Sequence, residues 1–193
     1  IADFYYQILD FNKKKVASIG TLGIKSKKFK KDLSNTTIDP IQLSKILSIL
    51  KKQNVNNVIM EASSHGLSQN RLDGLSFNAG IFTNLSQDHL DYHKNINNYL
   101  KAKLYLFEKL IKKKGNIITD EKIPEFKKIK NIASSKDLNL FSLFDKKNNF
   151  QFLSHKYEDE SQLLEIRYNN SIHKIKLNLI GRVQLKNVLM AVF

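Results

Sequence analysis

The sequence predicts an α/β fold in which a mainly parallel sheet is flanked by helices and carries a small antiparallel β appendage. Two observations support this. Short apolar runs alternate with amphipathic helical patterns over the first 120 residues, as expected of buried parallel strands joined by helices. After about residue 145, apolar and polar residues instead alternate one by one, which is typical of antiparallel strands.

The first elements follow from local patterns. Residues 2–11 form an amphipathic helix pattern, residues 16–22 a strand pattern, and a lysine-rich loop then runs to about residue 37. Pro40 suits the first turn of a second helix. The apolar stripe of that helix consists of Leu43, Ile46, Leu47 and Leu50.

Two further strands and a long helix are predicted next. The strands cover residues 58–60 and 79–82, with a short helical stretch between them. A long helix is expected from Asn95 to about Lys112, ended by Gly115 and followed by a short strand over residues 116–119.

The appendage comprises three predicted strands. They cover residues 150–153, 163–168 and 172–179, and Asn169-Asn170 forms the turn between the last two. A final helix is predicted from about Gln184, after Gly181.

Composition excludes several classes of protein. The 193 residues include no cysteine, so disulfides and thiolate metal sites are excluded and a cytoplasmic location is expected. No apolar run approaches the roughly 20 residues of a membrane helix. The net charge is +14, but 29 of the 32 basic residues are lysines in scattered clusters, so we do not expect a nucleic-acid partner. Because no apolar run is long enough, we do not expect membrane insertion either.

Two polar residues follow predicted strands at a position where ligands bind. Glu61 directly follows the apolar run 58–60, and His89 comes shortly after the run 79–82. Ligands of open α/β sheets bind beyond the carboxyl ends of the strands. A carboxylate and an imidazole there suit a metal ion that carries nucleotide phosphates. The alternatives are a surface glutamate, a structural histidine, and Asp88 as a helix N-cap.

Lys103 is the third candidate. It lies on the apolar stripe of the long helix, whereas Lys101 lies on the polar face. From periodicity alone, Lys103 at the edge of the stripe with its ammonium in water is the better interpretation. A desolvated neutral amine would instead react with CO2 to form a carbamate, which is an anionic oxygen ligand.

Two sequence runs resemble the central domain of the Mur ligases, and most closely the MurE type. The first run is Glu61-x-Ser63-Ser64-His65-Gly66-Leu67 with Gln69 and Arg71, and the second is Thr83-Asn84-Leu85-x-x-Asp88-His89-Leu90-Asp91-Tyr92-His93. The resemblance extends over essentially the whole chain. It implies a fold like that of P-loop NTPases and an ATP-dependent ligase of peptidoglycan synthesis. Such a ligase joins a diamino acid to UDP-N-acetylmuramoyl-L-alanyl-D-glutamate through an acyl phosphate.

The resemblance also implies residue roles. Glu61, His89 and a carbamylated Lys103 would bind Mg²⁺, and His89 and Lys103 would be catalytic. The UDP-linked substrate would be bound by Asn35, Thr36, Thr37, Ser63, Gln69 and Arg71. Gln184 and Asn187 would lie near the adenine of ATP, although the chain departs from the family pattern at Val183 and Gln184. His93 receives no role.

The resemblance implies that residues 1–193 are a central domain truncated at both ends. The phosphate loop, a UDP-binding N-terminal domain and a C-terminal domain would lie outside it, so the fragment alone is expected to be inactive. Whether diaminopimelate or lysine is added stays open. The alternatives are another Mur-type ligase, such as a folylpolyglutamate synthase, and a basic α/β domain that binds nucleic acid.

Overall fold

The computed structural model describes residues 1–158, 161–179 and 181–193. These residues form two compact units. The first comprises residues 1–77 and 85–112, and the second comprises residues 78–84 and 113–193.

The sheet of the first unit is mixed rather than purely parallel. Its strands are β1 (Val16–Gly20), β2 (Gly23–Ser26), β3 (Lys30–Lys31) and β4 (Asn57–Met60), in the order β3-β2-β1-β4. The strands β1 and β4 are parallel, with Val16 opposite Asn57, whereas β2 is antiparallel to both β1 and β3.

The lysine-rich segment predicted as a loop therefore contains two strands, and β1 ends two residues earlier than predicted. The cause is a tight turn at Gly23, whose φ of +80° is readily adopted only by glycine. The turn reverses the chain and pairs β2 with β1.

The helices of the first unit confirm the first two predicted helices and the short helical stretch between the two strands. They are α1 (Ala2–Phe11), α2 (Pro40–Lys52), α3 (Ser64–Ser68), α4 (Leu90–His93) and α5 (Ile96–Tyr105). Asp39 caps α2 by accepting a hydrogen bond from the Gln42 amide at 2.9 Å, and Pro40 occupies the first turn. The core comprises Ala17, Ile19, Ile24, Ile38, Leu43, Ile46, Leu50, Leu67, Leu72 and Leu110.

The long helix ends sooner than predicted. After α5, one π-helical turn covers Leu106–Leu110, and Ile111 is already extended, with φ −81° and ψ 129°. Gly115 lies inside the strand that follows and does not end the helix. The apolar stripe continues through Ile111, so periodicity alone could not mark the end of the helix.

The second unit contains a three-stranded sheet and the appendage. The strands β5 (Phe77–Ile81), β6 (Ile111–Thr119) and β7 (Asn139–Ser142) lie in the order β5-β6-β7. The helix α6 (Phe126–Ser135) connects β6 to β7, which are parallel. Neither α6 nor β7 is predicted from the sequence.

The predicted antiparallel appendage is confirmed. It consists of β8 (Phe150–Glu158), β9 (Ser161–Tyr168) and β10 (Ser171–Leu177), in the order β10-β9-β8. Asn169 and Asn170 form the predicted turn with positive φ angles of 47° and 66°. The helix α7 (Arg182–Val192) begins two residues before the predicted start. No helix within the described ranges has the length and apolar character needed to cross a bilayer.

Candidate functional site

Glu61 lies directly beyond the carboxyl end of β4, as predicted, and its carboxylate is held by the end of the neighbouring strand. Its Oε2 accepts hydrogen bonds from the backbone N–H of Thr21 at 2.8 Å and from Thr21 Oγ1 at 2.6 Å. A Cβ added to Gly20 would come within 2.6 Å of Glu61 Cδ. The ends of β1 and β4 therefore fix the position of the carboxylate.

Thr37 connects the predicted substrate residues to Glu61. Its buried hydroxyl donates to the backbone carbonyl of Glu61 at 2.9 Å and accepts from the backbone N–H of Ser63 at 2.9 Å. Arg71 Nη1 donates to the Thr37 carbonyl at 2.6 Å. Thr36 Oγ1 lies 3.1 Å from Thr21 Oγ1. Four predicted substrate residues, Thr36, Thr37, Ser63 and Arg71, thus belong to one hydrogen-bond network that includes Glu61.

The remaining two predicted substrate residues lie at the edges of this network. Asn35 is exposed, with its Nδ2 3.5 Å from Ser34 Oγ. Gln69 follows α3, and its Nε2 donates to the Tyr92 hydroxyl at 3.1 Å.

His89 lies in the first unit and has an unusual backbone conformation. Its φ of 55° and ψ of 25° are left-handed, and its N–H donates to Asp88 Oδ1 at 2.8 Å. The alternative role of Asp88 as a helix N-cap is wrong, because His89 itself is the residue that precedes α4 and no side chain caps that helix. Left-handed backbone at a residue other than glycine costs free energy and often marks a functional position.

The two sequence runs that carry the resemblance fold against each other. The His65 ring centroid lies 5.0 Å from that of His89, 4.1 Å from that of Tyr92 and 5.4 Å from that of His93. Ser64 Oγ and His93 Nε2 share a buried hydrogen bond of 2.9 Å. A cluster of five rings results: His65, His89, Tyr92, His93 and Tyr99, which we call the ring cluster.

Environment shifts the pKa values in the ring cluster. Burial lowers the pKa of His93 below its usual 6.5, and the nearby His65 and His89 lower it further. Burial also raises the pKa of Tyr99, and the charge of Asp88 adds to that effect. Hydrogen bonds donated by Ser68 and Gln69 lower the pKa of Tyr92.

Lys103 reaches the ring cluster through Tyr99. Its Nζ lies 5.3 Å from the centroid of the Tyr99 ring, and the His89 ring meets the same tyrosine edge-on at 5.9 Å. Lys103 is half-buried and Lys101 is exposed, so the two predicted helix faces are confirmed. Tyr99 thus brings His89 and Lys103 to one ring, while Thr21 and Thr37 hold Glu61.

Acidic, imidazole and carbamate groups are the donors that this site could offer a metal ion. Across the described part of the chain, no group of three or more histidine, aspartate or glutamate side chains is spaced to hold a metal ion. Glu61 and His89 supply one oxygen and one nitrogen donor, and magnesium prefers oxygen. A carbamate on Lys103 would supply a further anionic oxygen. The meeting of all three residues at one metal ion stays a prediction.

The second unit contains the predicted nucleotide residues. On α7, Gln184 is exposed and Asn187 is half-buried. Their neighbour Lys186 pairs with Asp120 Oδ2 at 2.5 Å, and Asp120 is only 1% exposed. Within the appendage, Gln162 Nε2 donates to the carbonyls of Leu179, at 2.6 Å, and Gly181, at 3.3 Å. These contacts fasten the start of α7.

Several residues of the site are not singled out by the sequence patterns. Thr21 directly follows β1 in the structure, but the sequence predicts a strand through residue 22, so the reasoning about strand ends that selects Glu61 does not select it. Ser64 lies inside the quoted run but has no role assigned there. Tyr99 and the Asp120–Lys186 pair carry no local signal, because their partners are distant in sequence.

Comparison with known proteins identifies the family. The model of the Mur ligase middle domain matches residues 1–193. The chain belongs to the Mur ligase family. The resemblance found in the sequence is thereby confirmed.

Named Mur ligases are similar along the whole chain. The UDP-N-acetylmuramoyl-L-alanyl-D-glutamate–2,6-diaminopimelate ligase of Zymomonas mobilis is 35% identical over 191 residues, which cover 99% of this chain and 39% of that protein. The chain therefore spans about two fifths of the length of that relative. A solved structure of a ligase with the same name matches 99% of the chain and 39% of its own, with a TM-score of 0.84 and 23% identity.

The fold is shared with a second class of ligase. The solved structure of a single-residue mutant of L. casei FPGS, a folylpolyglutamate synthase, matches 99% of the chain and 53% of its own, with a TM-score of 0.72. Its sequence identity is only 12%, so this likeness concerns the fold alone.

Proposed function

We propose that this Mur ligase domain belongs to an ATP-dependent ligase of peptidoglycan synthesis that adds a diamino acid to UDP-N-acetylmuramoyl-L-alanyl-D-glutamate. The observation that carries the proposal is that the two sequence runs typical of MurE fold onto each other through Ser64, His65 and His93. The name of the Zymomonas relative supports diaminopimelate as the diamino acid. Identity of 35% to that relative over 99% of this chain supports the muramoyl substrate.

The reaction would proceed by activation of the substrate carboxylate. ATP phosphorylates the free carboxylate of the D-glutamyl residue, which releases ADP and gives an acyl phosphate. The amine of the diamino acid then attacks the acyl carbon, and the tetrahedral intermediate collapses to an amide with loss of phosphate. Both steps bring anions together, so catalysis consists mainly of positioning and charge stabilisation.

Arg71 and the hydroxyls near Glu61 would bind the muramoyl substrate. A guanidinium has five N–H donors, so the bond from Arg71 to the Thr37 carbonyl leaves others for a substrate carboxylate. Thr36 lies on the same side of the network, next to Thr21. Gln184 and Asn187 on α7 are proposed to lie near the adenine.

Glu61, His89 and carbamylated Lys103 are proposed to hold magnesium, which when bound offsets the charge between the two reacting anions. Thr21 orients the Glu61 carboxylate by donating two hydrogen bonds to it. We place the protein in the cytoplasm, where ATP and the UDP-linked substrate would be available.

The function is tested by assaying the full-length protein with ATP, Mg²⁺ and the UDP-muramoyl dipeptide. We expect ADP, phosphate and a UDP-muramoyl tripeptide, detected by mass spectrometry, when diaminopimelate is supplied. Parallel reactions with lysine, and with a folate substrate plus glutamate, test the alternatives. Product in the folate reaction only would replace the proposed substrate class, and no product in any reaction would remove the ligase assignment.

The carbamate is tested by substitution of Lys103. In the full-length protein, Lys103→Ala should lose most activity, at least about 10-fold. Added acetate should partly restore it, because the space left by the shorter side chain admits a small carboxylate. Lys103→Arg should stay inactive, since a guanidinium cannot form the carbamate. The control is Lys101→Ala on the exposed face, which should be nearly silent. Full activity of Lys103→Arg would show that only positive charge or packing matters at this position.

A further inference from the structure

Ser64 and His93 form a buried polar link between the two sequence runs. Their side-chain bond measures 2.9 Å, with Ser64 7% and His93 5% exposed. A buried polar group that loses its partner destabilises the fold, because water cannot replace that partner. The bond therefore fixes the His93 ring relative to the segment that follows Glu61.

The fixed ring in turn supports Tyr99. The two rings stack with an interplanar angle of 20° and a centroid distance of 5.1 Å, and Tyr99 is only 6% exposed. Tyr99 is also the ring that His89 and Lys103 contact. Any shift of the His93 ring would move the surface on which both proposed metal-binding residues rest.

His93 supports His89 through the backbone as well. The His93 N–H donates to the His89 carbonyl at 3.0 Å, which closes the short helix α4 directly after the left-handed His89. Such a backbone conformation persists only where the surrounding structure enforces it. His93 thus contacts His89 through its backbone N–H and Tyr99 through its ring.

We infer that His93 is a positioning residue, which holds Tyr99 and the backbone of His89 so that His89 and Lys103 keep the geometry of a metal site. This inference rests on the proposed function. The His93 ring bonds to Ser64 through Nε2 and stacks on Tyr99, so the role that we assign to it acts through these neighbours. Partners that orient metal ligands in this way typically contribute about 10–100-fold to metal affinity.

The test separates the hydrogen bond from the ring stacking. In the full-length protein, His93→Phe keeps a ring against Tyr99 but loses the bond to Ser64, whereas His93→Gln keeps a polar group for Ser64 but loses the ring. Ser64→Ala removes the bond from the other side. His173→Phe, at an exposed position of β10, is the matched control.

The measured quantity is the dissociation constant for Mn²⁺, followed by electron paramagnetic resonance, together with the Mg²⁺ dependence of ligation. We expect about 10-fold weaker Mn²⁺ binding or more for His93→Phe, His93→Gln and Ser64→Ala, with kcat partly recovered at saturating Mg²⁺. The Ser64→Ala, His93→Phe double variant should bind Mn²⁺ no more weakly than the single variant with the lower affinity, because both substitutions remove the same bond. The control should bind Mn²⁺ like the wild type.

Thermal melting shows which variants are folded at the assay temperature. If His93→Phe is not folded, Ser64→Ala, which is the smallest change, decides the test. Folded variants with wild-type Mn²⁺ affinity would overturn the positioning role, whatever their kcat. If the wild-type protein fails to ligate, the proposed function fails instead. If it ligates and the variants keep normal Mn²⁺ binding, the positioning role alone fails.

Discussion

The two units hold their candidate site residues in opposite ways. In the first unit, the residues of the sequence runs bind one another: Thr37 bonds to Glu61 and Ser63, and Ser64 bonds to His93. In the second unit, Gln184 is exposed and its helix is fastened by neighbours, through the Asp120–Lys186 pair and through Gln162.

This difference predicts how substitutions act. Where site residues also form the scaffold, removing one should affect stability and activity together. Where neighbouring residues fasten the helix, replacing the residue that faces the ligand should not change stability. Replacing the neighbour should lower it. In the first unit the same residues therefore serve both the site and stability, whereas in the second unit different residues serve each.

Thr37→Val should have the largest effect on stability. Valine has nearly the same shape, but the Glu61 carbonyl and the Ser63 N–H would both lose their partner, at a cost of about 3 kcal/mol in the free energy of unfolding. Urea denaturation measures this cost. Thr36→Val, whose hydroxyl lies in an exposed contact with Thr21, is the control and should change stability little. Equal effects of the two variants would show that Thr37 is not part of the scaffold.

Lys186→Met should have an intermediate effect. It would leave the buried Asp120 carboxylate without its cation, and because Lys186 is 42% exposed we expect a loss of about 2 kcal/mol, less than for a fully buried pair. The apparent affinity for ATP should fall as well, since the helix that carries Asn187 loses an anchor.

Two further variants complete this experiment. Gln184→Ala should weaken ATP binding without changing the urea midpoint, and Lys127→Met, at an exposed position of α6, should change neither quantity. A stability loss for Gln184→Ala as large as that for Lys186→Met would remove the distinction between the two units.

Asp3→Asn should have the smallest effect, and that effect should depend on pH. The hydrogen bond from Lys25, at 2.8 Å, holds the pKa of Asp3 below its usual 3.8. Between the folded and the ordinary pKa, the unfolded chain binds more protons, so the stabilisation is present above pH 3.8 and is lost as the pH falls through the folded pKa. This partly exposed pair should contribute under about 1 kcal/mol.

Urea midpoints of Asp3→Asn and wild type, compared from about pH 6 down to about pH 3, measure this contribution. The difference should shrink towards acid. A difference that is constant over this range would assign the effect of Asp3 to packing rather than to its charge.

The sequence predicts those parts of the fold that depend on local pattern. The helices α1 and α2, the strands β1 and β4 and the β8–β10 appendage all follow from periodicity and turn residues. The strands β2 and β3 escape prediction because their lysine-rich residues carry little β pattern and their pairing depends on the turn at Gly23. The end of α5 escapes it because the apolar stripe continues past that point.

For the site, candidate residues could be found in the sequence, but few of their partners could. Glu61 could be placed beyond a strand end, and Lys103 and Lys101 on opposite helix faces. The bond from Thr21 to Glu61 spans 40 residues, and that between Ser64 and His93 spans 29. Contacts over such separations depend on how the elements pack, which no local pattern encodes.

Gly20 has no side-chain functional group, but the choice of residue at this position is as restricted as at a position that has one. The space where its Cβ would stand is taken by the Glu61 carboxyl group, whose Cγ, Cδ and Oε2 all lie within 2.7 Å of that point. Even alanine would have to displace the carboxylate from the two hydrogen bonds of Thr21. A larger residue at position 20 would therefore be tolerated only with a smaller side chain at position 61, whereas a smaller residue at position 61 makes no such demand on Gly20.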